Sequence, residues 1–278
     1  MGLDAAIQRL FGFEKIPDAF EVSPWEFAFN DDGGVNLDPN APALWWVLRM
    51  LTTPRPLQEK LALFWHSHFA VSGSKVDFGP AMLDYLEVLR SNCAGNFVTL
   101  LERVSKTAAM VRWLDTERSL KTRPNENFAR ELLELFTLGI GEYTEQDIQA
   151  SAGAFSGWSV RYPLYEMEGL KDGERVRVAV EAGMPLIAFV DAPALHDNGV
   201  KTYLGAQRPF TAEDLLRRAA THPACLKRLA RKLWEFFAYE NPGEREVEVV
   251  SRELKKSNME IRPALLAIVK SREFWSER

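Results

Sequence analysis

Apolar side chains recur every three to four residues over most of the chain, which is the spacing of amphipathic helices. A Thr144–Asp147 capping box predicts one helix that runs to Phe155. Thr211 and the pair His222-Pro223 each precede a similar apolar pattern and predict two more helix starts. The remaining helices are predicted over 38–53, 56–71, 78–92, 96–106, 107–114, 124–138, 244–256 and 259–270.

The pattern changes over 158–191, where WSVRYPLYEM, ERVRVAV and PLIAFVD follow one another. The middle piece alternates apolar and polar residues, as a half-buried strand does, and Lys171-Asp-Gly173 supplies a turn. These features predict a β-hairpin or a three-stranded insertion. We therefore expect a mainly α protein, with residues 1–278 forming one bundle-like, multi-helix domain and residues 158–191 forming a small β insertion.

Composition limits the classes of function. The chain is 46% hydrophobic with a net charge of −5, which suits a globular core and argues against general nucleic-acid binding. Its two cysteines, Cys93 and Cys225, lack metal-ligand spacing, and two free thiols are the favoured state. The first residues, with Asp4, do not resemble a signal peptide, and no apolar run approaches the ~18 residues of a membrane span. We expect a soluble, cytoplasmic protein.

Two histidines in FWHSHF suggest a metal site, but helix geometry argues against it. Residues two apart on a helix point about 200° apart, so His66 and His68 cannot share one ion on an unbroken helix. His68 lies on the apolar arc, and His66 points away from it. Two interpretations stay open: His68 is a hydrogen-bonded core residue, or it faces an enclosed polar pocket and meets a carboxylate there.

The segment 124–138 carries a charged face opposite an apolar one. Glu126, Arg130 and Glu134 are spaced four residues apart, with Glu131 on the flank. On a surface helix this is a ladder of weak ion pairs. Inside a bundle the same residues would form a buried polar cluster, which often marks function. The expected apolar stripe consists of Phe128, Leu132, Leu135 and Phe136.

Two further segments carry candidate chemistry. The loop beginning His196-Asp197-Asn-Gly could serve acid–base or anion-binding work, or could simply form a tight turn. The basic run Lys227, Arg228, Arg231 and Lys232 lies along one helix side and is more typical of a solvated face than of a nucleic-acid site.

Several segments together resemble one known family. PNENFARELLELFTLG is the most specific, and EKLALFWHSHFAVS, HDNGVKTYLG and ARKLWEFF occur in the expected order. They resemble the domain of unknown function 1800 family over about 56–274. The resemblance implies that members are often longer, are often exported and often accompany a sulfatase-like protein. It also implies the family hallmarks His66, His68, Asn125, Glu126, Asn127, Arg130, Glu131, Glu134, His196, Asp197 and Lys201.

Three functional hypotheses follow, and the weakest of them is nucleic-acid binding through the basic run of Lys227, Arg228, Arg231 and Lys232. In the first, distant imidazole and carboxylate groups converge into an internal site for acid–base or metal-assisted hydrolysis or transfer, and a divalent cation is the cofactor considered. In the alternative, the protein is a non-catalytic binding or assembly component whose buried polar network is structural. The first hypothesis assigns its site to His66, His68, Glu126, Arg130, Glu131, Glu134, His196 and Asp197.

Overall fold

The computed structural model describes residues 2–22, 38 and 40–276. Helices dominate and two small antiparallel sheets accompany them, which confirms the predicted mainly α fold. The chain divides into two compact units. The prediction of a single domain over 1–278 stays a prediction. Unit 1 comprises Met1–Ser91, Val104–Glu117 and Trp158–Ala192, and unit 2 comprises Asn92–Arg103, Arg118–Gly157 and Pro193–Arg278.

Unit 1 is built around α3 (Pro56–His68), which packs against α1 (Leu3–Phe11) and α2 (Ala41–Thr52). Prolines stand in the first turn of both α2 and α3, where a missing N–H costs nothing. The predicted helix 56–71 ends three residues early, at His68. The helices of unit 1 are α1 (Leu3–Phe11), α2 (Ala41–Thr52), α3 (Pro56–His68), α4 (Gly73–Val76), α5 (Gly79–Asn92), α7 (Ala108–Trp113) and α10 (Asp172–Glu181).

Unit 2 ends in a helical stack in which α13 (Glu244–Lys256) packs against both α12 (Pro223–Phe237) and α14 (Ile261–Val269). Its helices are α6 (Phe97–Ser105), α8 (Asn127–Glu131), α9 (Glu145–Ala154), α11 (Ala212–Ala220), α12 (Pro223–Phe237), α13 (Glu244–Lys256) and α14 (Ile261–Val269). Single 3-10 turns lie at Phe13–Lys15, Thr116–Arg118, Pro163–Glu166, Pro193–Leu195 and Glu273–Trp275.

Three of the predicted helix starts are confirmed in detail. Thr144 accepts a hydrogen bond from the Asp147 backbone N–H, and Asp147 accepts one from that of Thr144. Thr211 and Asp214 form the same reciprocal pair. His222 caps α12 by accepting from the Ala224 N–H at 3.3 Å. Each cap satisfies N–H groups that the first helical turn leaves unpaired.

The prediction of one α-helix over 124–138 is wrong in its second half. The α-helix α8 covers only Asn127–Glu131 and continues as a π-helix over Leu132–Phe136. The hydroxyl of Thr137 donates to Leu132 O at 2.5 Å, and Gly139 N donates to Leu133 O at 2.9 Å. These bonds close a wider turn than the α-helix has, so the expected apolar stripe shifts.

The shift changes which side chains are buried. Phe128, Leu132 and Phe136 are buried as predicted, but Leu133 takes the place expected for Leu135, which is 45% exposed. A helical wheel with 100° per residue cannot anticipate this, because the π turn advances each residue by a smaller angle.

The β element of unit 1 pairs β1 (Trp158–Arg161) with β2 (Ala188–Asp191), antiparallel, with Trp158 opposite Asp191. The prediction that ERVRVAV is a strand is wrong, because these residues form α10. Glu174 accepts from the Lys171 backbone N–H at 2.9 Å, which stabilises the first turn of that helix. Val176 and Ala179 are then buried at helical spacing.

The helices α1 and α4 and one short hairpin were not anticipated. The helix α1 precedes the predicted ones, and α4 lies between two of them. The hairpin, in unit 2, pairs β3 (Lys201–Tyr203) with β4 (Ala206–Arg208). The turn of that hairpin places Leu204 and Gly205 at positive φ. The expectation of two free thiols is confirmed, since Cys93 and Cys225 are both buried and unbridged.

Candidate functional site

The charged face of α8 lies at the surface of unit 2. Arg130 donates to Glu145 at 2.7 Å and lies 3.4 Å from Glu126. All three side chains are at least 40% exposed. This part of the predicted site is a set of solvated ion pairs, which contribute little stability.

The next two carboxylates sit closer to the protein interior. Glu131 is half-buried, and burial, followed by repulsion from Glu134, raises the pKa of its carboxyl. Glu134 accepts a hydrogen bond from the Tyr143 hydroxyl at 3.0 Å. A carboxyl with a raised pKa beside a second carboxylate is a common arrangement in acid–base sites. Tyr143 was not among the predicted residues, because its contact depends on the loop after the π-helix.

The loop after β2 is fixed by the end of α9. The Nδ1 of His196 lies 2.9 Å from Ser156 O, and because a carbonyl only accepts, Nδ1 carries the proton. The Asp197 backbone N–H donates to the Ser156 hydroxyl at 2.9 Å. The Asp197 carboxylate accepts from Gly199 N at 2.8 Å, as in an Asx turn.

Lys201 closes this loop from inside. Its ammonium donates to Asp197 O at 2.6 Å and to Gly199 O at 2.9 Å, and its side chain is only 5% exposed. Gly153 lies directly beneath, where a Cβ would come within 2.7 Å of the Asp197 carboxylate. The contacts of this loop are those of a packed turn, with His196 and Asp197 both used to hold it.

The two candidate histidines of unit 1 occupy aromatic surroundings. His68 is buried, with its ring 4.6 Å from that of Phe69. His66 is half-buried between the rings of Trp46, at 5.4 Å, and Tyr85, at 5.7 Å. Burial lowers the pKa of His66. Its imidazole is therefore favoured in the neutral form.

A buried ion network that the sequence pattern did not predict lies beside these histidines. The Glu59 carboxylate accepts from Arg49 at 3.1 Å, from Arg90 at 2.9 Å and from the Trp46 indole at 2.9 Å. Glu59, Arg49 and Arg90 are each at most 5% exposed. Burial opposes the charge of Arg90, but Glu59 and the neighbouring Glu87 outweigh it and raise the pKa of the guanidinium.

The family model described as Protein of unknown function (DUF1800) matches residues 27–278. The chain belongs to this family. No curated protein and no solved structure matches the chain. The DUF1800 assignment confirms the resemblance inferred from PNENFARELLELFTLG and the segments around it.

The hallmarks of this DUF1800 chain fall into local groups. Unit 2 brings Glu126 together with Arg130, places Glu131 beside Glu134, and joins Asp197 to Lys201. His66 and His68 belong to unit 1, and their convergence with the groups of unit 2 stays a prediction. Within the described ranges, no group of three or more His, Cys, Asp or Glu side chains is placed to hold a metal ion.

The α2 helix of the DUF1800 chain has an inverted distribution of polarity. Its one charged residue, Arg49, is buried, whereas its outer face is apolar. The exposed fractions are 62% for Leu44, 48% for Val47, 42% for Leu48 and 76% for Leu51. A helix whose outer face is also apolar is normally covered by other protein.

The basic run of α12 is partly engaged within unit 2. Arg228 donates to Leu135 O at 3.1 Å, and Arg231 pairs with Glu244. Burial lowers the pKa of Lys232 to about 8.

Among the described residues, no helix is both long and apolar enough to cross a membrane.

The sequence did carry a signal for the missed network. In LWWVLRML a single arginine interrupts an apolar run, and a charged residue there must be paired or exposed. Its partners, Glu59 on α3 and Arg90 on α5, come from other helices, so the pairing itself depends on the tertiary structure.

Proposed function

We propose that this chain is a non-catalytic assembly component that docks through the outer face of α2 into an apolar groove of another protein. The observation that carries the proposal is the exposed stripe Leu44, Val47, Leu48 and Leu51. These positions are i, i+3, i+4 and i+7, the anchor spacing of helices that bind in grooves.

The buried network supports the same role. Glu59 ties α3 to α2 through Arg49 and to α5 through Arg90, so the helix that presents the stripe is fixed from behind. A fixed helix loses less conformational entropy on binding than a mobile one. The network is satisfied internally, which suits a structural role better than a catalytic one.

The apolar character of the stripe indicates which kind of surface binds to it. It has no charged side chain, so the complementary surface must also be apolar. Two copies of one stripe, a single heptad long, would bury less area than stable dimers need. A groove that contacts the helix on several sides buries more. The sulfatase-like companion that the family resemblance implies is the partner that we propose.

The test uses size-exclusion chromatography of the chain mixed with this companion at about 10 µM, where a micromolar complex forms. Val47→Glu places a charge in the stripe and should abolish the complex. Val249→Glu is the matched control, a helical valine of unit 2 with 42% exposure, and should leave the complex intact.

The possible results distinguish a protein partner from a second copy of this chain and from a membrane surface. A complex that tolerates Val47→Glu, or no complex at all with the wild-type chain, would contradict the proposal. Self-association that Val47→Glu removes would assign the stripe to a second copy. Binding to phospholipid vesicles that Val47→Glu removes would assign it to a membrane surface. Either of the last two results also overturns the proposed partner.

A second candidate function rests on Glu131 and Glu134. The raised pKa of Glu131, beside a carboxylate that Tyr143 holds, supports an acid–base site for hydrolysis or group transfer. Chromogenic esters, glycosides and phosphate esters assayed from about pH 5 to pH 8 test it. Any activity found should fall by about 100-fold in Glu131→Gln and persist in Glu126→Gln. No turnover, or equal loss in both variants, would eliminate this candidate.

A further inference from the structure

A half-open pocket of about 200 Å³ lies in unit 1, between α1 and the turn that joins α2 to α3. Most of its wall is apolar, and two prolines restrict the backbone of one side. It is therefore formed before any ligand arrives. The apolar wall residues are Leu10, Phe13, Ile16, Pro54 and Pro56.

Two arginines complete the pocket, and the first of them is fixed. Arg55 stands between Pro54 and Pro56, and its Nε donates to Ile16 O at 2.7 Å. Its side chain is 18% exposed. In the part of the chain that the structure describes, Arg55 pairs with Asp18, whose carboxylate oxygen is 4.0 Å from its Nη1 and is also engaged by Arg49. Asp18 thus leaves much of the Arg55 charge uncompensated.

The second arginine is available to a ligand. Arg9 is exposed on α1. Within residues 2–22, 38 and 40–276 it makes no ion pair. Two guanidinium groups of one pocket therefore carry positive charge in a chain whose net charge is −5.

We propose that this pocket binds a small apolar monocarboxylate, with the carboxylate at Arg9 and Arg55 and the apolar group against Phe13 and Ile16. Arginine donors match the planar fork of a carboxylate. An inorganic anion would leave the apolar wall in water, and the volume is below that of sites for drug-sized ligands. Both facts select a short organic acid.

Isothermal titration calorimetry of the full chain with benzoate tests this. Benzamide has the same shape without the charge and should bind about tenfold more weakly, since charged hydrogen bonds are the stronger ones. Arg9→Gln should weaken benzoate binding by about tenfold. Arg161→Gln is the control, because Arg161 is an exposed arginine of the same unit outside the pocket.

A second variant guards against an ambiguous result. Leu10→Glu places a carboxylate in the pocket at a residue that is already 39% exposed, so folding should survive while benzoate binding is lost. No benzoate binding at millimolar concentration, equal binding of benzamide, or equal effects of Arg9→Gln and Arg161→Gln would overturn the proposal. Full competition by inorganic phosphate, or tighter binding of a short peptide through its C-terminus, would do so as well.

Discussion

Glu59 and Arg90 form a three-bond contact in the interior of unit 1. The Arg90 Nε lies 3.0 Å from both carboxylate oxygens of Glu59, and Nη2 lies 2.9 Å from one of them. Both residues are almost fully buried. A single charge buried in such a place would be costly, because it loses its hydration. The pair is tolerated, because the attraction and the hydrogen bonds between the two groups replace the lost hydration.

Glu59→Gln should destabilise the protein by about 3 to 5 kcal/mol, because it leaves the buried Arg49 and Arg90 without their shared counter-charge. Urea denaturation at neutral pH measures the loss. The control is Glu87→Gln, which removes another carboxylate bound to Arg90, but one that is 47% exposed. That change should cost no more than about 1 kcal/mol. Equal effects of the two changes would show that burial does not set the strength of the network.

Glu131→Gln should stabilise the protein at neutral pH and have little effect in acid. The folded-state pKa of Glu131 is raised, chiefly by burial, so the folded state favours the protonated carboxyl. Its contribution to stability is complete below the unfolded pKa, near 4.3, and is lost as pH rises through the folded value. Glutamine imitates the protonated form. Melting temperatures of both proteins between about pH 4 and pH 8 provide the comparison, and a gap that shrinks as pH rises would contradict the assignment.

His66→Phe should make the protein less sensitive to acid. Burial lowers the folded-state pKa of His66, so its neutral form adds stability above the unfolded pKa, near 6.5, which is lost as pH falls through the folded value. Phenylalanine keeps a ring between Trp46 and Tyr85 but cannot take up the proton. The free energy of unfolding should therefore fall less between pH 7 and pH 5 in the variant. Parallel curves would show that His66 does not sense this range.

Gly153→Ala should destabilise unit 2 by about 1 to 3 kcal/mol, the usual cost of overpacking. The new Cβ would lie 2.7 Å from Asp197 Oδ2 and 3.2 Å from the Cε of Lys201, which hold the loop. Gly95→Ala serves as the control, since its Cβ meets only ordinary contacts, the nearest at 3.6 Å. The double variant Gly153→Ala/Asp197→Ala should recover part of the loss, and strict additivity would indicate that no clash exists.

Local sequence predicted much of the helical framework. The caps at Thr144, Thr211 and His222 are formed by residues within three positions of each other, so the sequence contains both partners. The helix 244–256 was predicted with the bounds that the structure shows. Prediction from local hydrophobic spacing failed where one pattern is compatible with both a strand and a helix. The segment ERVRVAV alternates as a strand does, but it forms α10.

The candidate site was predictable in residue type but not in arrangement. The charged face of α8 was expected, and Arg130 does pair with Glu126, but Glu145 and Tyr143 joined it from the following segment. The π turn moved Leu135 outward and Leu133 inward. Hydrogen bonds from Thr137 to Leu132 O and from Gly139 to Leu133 O accompany that turn, and a helical wheel does not include them.

The sequence by itself determined the mainly helical class, most helix limits and the family, because these depend on local spacing, capping and contiguous motifs. Only the tertiary structure decided that Arg49 turns inward while Leu44, Val47, Leu48 and Leu51 face outward. The buried partner of Arg49 is Glu59 on a different helix, whose carboxylate accepts a hydrogen bond from the Arg49 guanidinium. A pairing between helices is a property of their packing, and the spacing within either helix does not contain it.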